Sequence, residues 1–137
     1  MELEEIEKVE VTRQERREYR HIIESTLPVT ELLAGGAEEA TELAQALLKM
    51  RRVLTGTNPT TKTFDEVQDN IFEEIADLKL YLEAIGYYVT SKEVKAWEDY
   101  KIQRWAKRLK SNIGQAGQPR QGSDSRAKIE RYGGDKG

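Results

Sequence analysis

Cysteine is absent from the 137 residues, and histidine occurs once, as His21. No disulfide, cysteine-held zinc, iron–sulfur cluster or cysteine nucleophile can form within the chain. A single histidine also argues against a histidine-based metal cluster and against a Ser-His-Asp triad. No apolar run approaches the roughly 18 residues of a membrane-spanning helix, so no membrane partner is expected. The opening MELEEIEKVE is acidic and lacks the apolar stretch of a signal peptide, so secretion is not expected. Chemistry performed by this chain must therefore rest on carboxylates, lysines, arginines, hydroxyls and bound metal.

What is present is charge. Charged residues make up 34% of the chain and hydrophobic residues 37%. So thin an apolar complement makes a lone single-domain monomer marginal, and self-association is expected. The net charge of −3 is unevenly spread. From Lys92 to Lys110 seven basic residues face three acids, whereas Glu38, Glu39 and Glu42 form an acidic cluster. An acidic protein with one basic strip is a poor general nucleic-acid binder. It suits a small polyanion held through metal ions.

The patterning is helical almost throughout, which predicts an all-α fold. Three sites read as capping boxes, with Thr followed three residues later by Glu: Thr12 to Glu15, Thr63 to Glu66 and Thr90 to Glu93. A fourth start falls at Thr30, after Pro28. Four helices are predicted, over about 13–25, 31–54, 64–85 and 92–110. The second stops at the turn-rich Thr55-Gly56-Thr57-Asn58-Pro59 and the third at Gly86. Tyr87-Tyr88-Val89 is too short to build a sheet. Residues 1–11 read as an acidic leader and 12–110 as the helical domain. Residues 111–137, with six glycines and few apolar anchors, read as a flexible tail.

Two of these helices carry acids where apolar residues belong. In the second, Leu43, Ala46 and Met50 centre the apolar stripe, and Glu39 falls on the same line, seven residues before Ala46. Glu38 and Glu42, four apart, flank it. In the third, Ile71, Ile75, Leu78, Leu82 and Ile85 form the stripe, with Glu74 at its edge and Asp77 one turn on. Antiparallel packing of the two stripes would gather Glu38, Glu39, Glu42, Glu74 and Asp77. A solvated face is the ordinary reading of E-E-x-x-E on a helix, but a carboxylate on a core-facing stripe is expensive to desolvate unless paired or metal-bound. Four or five such groups cannot all stay ionised without cations. Oxygen-only ligands suit Mg²⁺ first and Mn²⁺ second. Lys49 shares a face with Glu42, and Lys101, Arg104 and Arg108 share one with Trp97, while Ile102, Trp105 and Leu109 are expected to supply the buried side. Basic residues beside a carboxylate-held metal suit a triphosphate.

Here the chain resembles the MazG-like family of all-α nucleoside triphosphate pyrophosphohydrolases. The family motif, E-E-x-x-E followed after a spacer by E-x-x-D, reads Glu38-Glu39-Ala40-Thr41-Glu42 and Glu74-Ile75-Ala76-Asp77. The segments AEEATELAQALLKMRRVLTGTNPT, NIFEEIADLKLYLEAIG and KIQRWAKRL resemble the second helix, third helix and last helix of the phage and prophage branch. The spacer of 31 residues between Glu42 and Glu74 is longer than usual for the family, and Gly35-Gly36 inside the second helix is also unusual. Two glycines there cost about 1 kcal/mol each relative to alanine, and fit a kink or a close helix contact.

The resemblance implies a four-helix-bundle-like fold assembling as a homodimer or homotetramer, in a bacterial or phage-infected cytoplasm. It implies Glu39, Glu42, Glu74 and Asp77 as metal ligands, with Glu38 as a further ligand or the base that orients water. It implies Mg²⁺- or Mn²⁺-dependent hydrolysis of nucleoside or deoxynucleoside triphosphates to a monophosphate and pyrophosphate. On that mechanism Lys49, Lys101 and Arg104 offset charge on the departing pyrophosphate. Asn58, Asn70 and Tyr81 are candidates for base or sugar contacts, and Trp97 and Trp105 for stacking or core. The competing readings are a nucleotide-binding protein without catalysis and a helical accessory protein that binds nucleic acid through its last helix and tail.

Overall fold

A computed structural model describes residues 3–57 and 60–116. It contains a one-turn helix α1 (Leu3–Ile6), then α2 (Arg13–Thr26), α3 (Val29–Thr55), α4 (Phe64–Ile85) and α5 (Lys92–Ala116), with no strand among the described residues. The chain divides into two units, Met1–Ser91 and Lys92–Gly137. None of its helices is long and apolar enough to cross a membrane, among the described residues.

Local chemistry sets the helix ends. Thr12 and Thr63 each cap their helix with the side-chain oxygen while Glu15 and Glu66 reach back to the cap backbone N–H. The two boxes expected there are formed. The third, Thr90 to Glu93, does not set the start of α5, which begins at Lys92 after a turn closed by the Ser91 N–H on the Tyr88 carbonyl. Helix α3 begins one residue before Thr30, at Val29, with Pro28 in the cap position. Gly56 and Gly86 end α3 and α4 with φ of +66° and +97°, a conformation that costs glycine nothing. Helix α5 runs through residues 111–116, past the expected start of the tail; the rest of that segment lies outside the described residues.

The first unit is organised by an antiparallel pair, α3 against α4. Met50, Phe64 and Val67 form a buried cluster at the loop end, with Val53, Leu54 and Ile71 around it. At the other end Tyr81 lies over Gly35, while Tyr81 and Ile85 border Gly36. Along α3 the facing line is Leu32, Glu39, Ala46, Val53; along α4 it is Val67, Glu74, Tyr81. Both lines advance by seven residues, about two helical turns. This corrects the expected rotation of α4. Ile75, placed in the stripe by periodicity, is 47% exposed, and Glu74, placed at the edge, is only 7% exposed. The Tyr81 ring needs the space left by Gly35, and that contact turns the Glu74 line inward.

Helix α2 buries none of its side chains. It is tied to α4 by Arg20, whose Nη2 donates to Glu83 Oε2 at 2.7 Å and whose guanidinium lies 5.7 Å from the Tyr88 ring centre. In the second unit, Ile102, Trp105 and Leu109 were expected on a buried side but are exposed, Trp105 by 64%. A helical stripe identifies a side that wants cover; it does not supply the cover.

The two adjacent glycines should respond oppositely to alanine. A Cβ at Gly36 meets only ordinary contacts, so Gly36→Ala should raise stability by about 1 kcal/mol through helix propensity. A Cβ at Gly35 would overlap the Tyr81 ring, so Gly35→Ala should destabilise, and should stabilise once Tyr81 is also changed to Ala. Thr63→Ala should lose about 1 kcal/mol through the cap. Denaturant unfolding of these variants checks all three; a destabilised Gly36→Ala beside a neutral Gly35→Ala would contradict the described packing.

Candidate metal centre

The acidic side chains sit midway along the α3–α4 contact. Glu39 comes from α3, and Glu74 and Asp77, one turn apart, from α4. One oxygen from each of the three lies within 4.8 Å of the others. Glu74 is buried, while Glu39 and Asp77 are half-buried. Asn70, four residues before Glu74, donates its Nδ2 hydrogen to Glu74 Oε1 at 2.9 Å. Glu74 Oε2 is buried and has no hydrogen-bond donor while the neighbouring carboxyls are ionised; protonated Glu39 and Glu42 are placed to donate to Glu74.

Two acids of this cluster, Glu39 and Glu42, resist ionisation. Loss of hydration pushes the Glu39 carboxyl above its ordinary value, and the charges of Asp77, Glu42 and Glu74 push the same way. Glu42 is also raised, first by the Glu74 charge, then by desolvation and by Glu38. No basic residue forms an ion pair with these acids among the described residues. Three other acids of the unit have complements: Glu83 has Arg20 and Lys79, while Glu15 and Glu66 are held below their ordinary values by cap backbone N–H groups.

A divalent cation fits what is missing. The donor set is all oxygen, which suits a hard ion, and the orphaned buried Oε2 of Glu74 is the kind of group an ion satisfies. Glu39, Glu74 and Asp77 are the residues positioned to hold one, with Glu42 beside Glu74.

The remaining expected site residues are distributed as follows. Glu38 is exposed on α3, at the rim beside Glu42. Lys49 is half-buried two turns beyond Glu42. Asn70 and Tyr81, candidates for base or sugar contacts, lie on α4, where Asn70 donates to Glu74 and Tyr81 packs over Gly35. The Asn70–Glu74 spacing of four was a readable signal for that hydrogen bond. Asn58 lies outside the described residues. Lys101 and Arg104 belong to the second unit, where they lie on the exposed surface of α5 with Trp105, Arg108, Leu109 and Asn112. Lys101 Nζ also lies 5.9 Å from the Trp97 ring centre.

Compared with protein-family models, curated proteins and solved structures, the chain matches none.

The electrostatics yield a prediction with a definite sign. For Glu39 and Glu42 the folded chain holds protons more tightly than the unfolded one, from the ordinary 4.5 upward. Their contribution to stability therefore falls as pH rises through the folded-state values. Glu15 and Glu66 act oppositely, so the comparison must be with a variant. In chelator, the double variant Glu39→Gln, Glu42→Gln should melt above the unsubstituted chain at pH 7, with the gap closing toward pH 4. A lower melting temperature for the variant at pH 7 would mean that the acids are not in mutual repulsion.

Proposed function

We propose that the protein is a metal-dependent nucleoside triphosphate pyrophosphohydrolase of the MazG-like kind, cutting between the α and β phosphates. The observation that carries this reading is the buried, unpartnered Oε2 of Glu74 beside Glu39 and Asp77. A desolvated carboxylate among other carboxylates destabilises the fold, and such a cost is retained where ligand binding needs it. The match of these residues to the E-E-x-x-E and E-x-x-D pattern supplies the substrate class.

In this reading Glu39, Glu42, Glu74 and Asp77 hold Mg²⁺ or Mn²⁺. The chemistry supplied by such an ion, when bound, is polarisation of a phosphoryl oxygen and acidification of a water. Glu38, exposed at the rim and free to meet solvent, accepts the proton of the attacking water. Lys49, half-buried on the same helix, offsets negative charge on the pyrophosphate as the α–β bond breaks. The products are a nucleoside monophosphate and pyrophosphate. A second copy of the chain is part of the proposal, as a homodimer or homotetramer in a bacterial or phage-infected cytoplasm. It is supported by the exposed Leu47, Phe72 and Ile75 on the helical pair.

The basic side chains Lys101, Arg104 and Arg108 on α5 favour one other reading, nucleic-acid binding without hydrolysis. One experiment separates the two. All common ribo- and deoxynucleoside triphosphates are incubated with Mg²⁺ or Mn²⁺, and pyrophosphate and orthophosphate are measured separately. Pyrophosphate release from at least one nucleotide is expected, abolished in Glu42→Gln and in Asp77→Asn with helical content retained. Release from none of them, or turnover intact in both variants, overturns the enzymatic reading; salt-sensitive DNA binding in its place would support the other.

A further inference from the structure

The two oxygens of Glu74 are not equivalent. Oε1 receives the Asn70 amide hydrogen at 2.9 Å, while Oε2 is buried with no hydrogen-bond partner. Asn70 is itself half-buried, and both residues lie on one helix four positions apart, so the bond is local and shielded. It fixes the rotation of the carboxylate about its terminal bond and directs a lone pair of Oε1 toward the amide.

We infer that Asn70 is a positioning residue that restricts Glu74 to one-oxygen coordination and thereby favours Mg²⁺ and Mn²⁺ over Ca²⁺. This rests on the metal-centre reading above and adds selectivity to it. Ca²⁺ gathers six to eight oxygens and readily takes both oxygens of one carboxylate, whereas Mg²⁺ is smaller and uses one or two carboxylates alongside water and phosphate. A carboxylate with one oxygen engaged by an amide is a poor two-oxygen donor and remains a good one-oxygen donor. Removing the amide frees Oε1 and relaxes the rotation, which improves the site for the larger ion and loosens it for the smaller ones. Partners that orient a metal ligand commonly change metal affinity by roughly 10–100-fold when lost.

The test measures binding, not turnover. Mn²⁺ affinity is read by paramagnetic resonance of the free ion, and Ca²⁺ and Mg²⁺ by competition, on the full chain and on Asn70→Ala, Asn70→Leu and Asn70→Gln. Alanine and leucine both remove the donor, and leucine keeps most of the volume should the smaller residue unfold the chain. Glutamine retains an amide that can reach Glu74. The Mn²⁺-to-Ca²⁺ affinity ratio should fall on the order of 10-fold in Asn70→Ala and Asn70→Leu and be largely kept in Asn70→Gln. An unchanged ratio in the donor-less variants, including an equal loss for both ions, assigns Asn70 a merely structural role and overturns the inference. An unsubstituted chain that binds none of the three ions removes the metal centre itself, a failure distinct from the first.

Discussion

Two helices share a contact line with a glutamate in the middle of each side, and this constraint shapes the first unit. Leu32, Glu39, Ala46 and Val53 face Val67, Glu74 and Tyr81. Apolar residues at the two ends hold the pair together, and the acids between them are held close by that packing. Like charges half out of water oppose the fold unless protonated or met by a cation. The site is thus a local strain supported by the rest of the hairpin.

The support is visible at both ends. At the loop end, Met50, Phe64 and Val67 exclude water, and the Thr63–Glu66 box fixes where α4 starts. At the far end, the Tyr81 ring fills the space over Gly35, which sets the rotation of α4. Rotation decides the chemistry: with Ile75 inward, Glu74 would swing toward water and lose its desolvation. Asn70 then selects which oxygen of Glu74 is left without a partner.

The acids of this unit show that position governs their behaviour. Glu15 and Glu66 receive backbone N–H groups and ionise readily; Glu39 and Glu42 meet other carboxylates and resist. The contrast singles out the α3–α4 cluster as the place where carboxylates face one another rather than a donor. The second unit differs in kind. Its described part is one helix bearing basic and aromatic side chains, whose apolar residues remain exposed.

Much of this was legible in the amino-acid order alone. Helical content, the boxes at Thr12 and Thr63, the stop at Gly86 and the presence of Glu39 on an apolar stripe follow from short-range rules, since each involves residues within two turns of one another. Of the five acids in the E-E-x-x-E and E-x-x-D pairs, the structure brings Glu39, Glu74 and Asp77 together, with Glu42 beside Glu74 and Glu38 exposed. The centring of Glu74, the exposure of Ile75 and the pairing of Gly35 with Tyr81 needed the tertiary structure. Periodicity locates an apolar face only to within a residue or so, and packing across the helix pair settles the rotation. The exposed face of α5 shows the same limit: a stripe can be read from sequence, but what covers it is a property of a second surface.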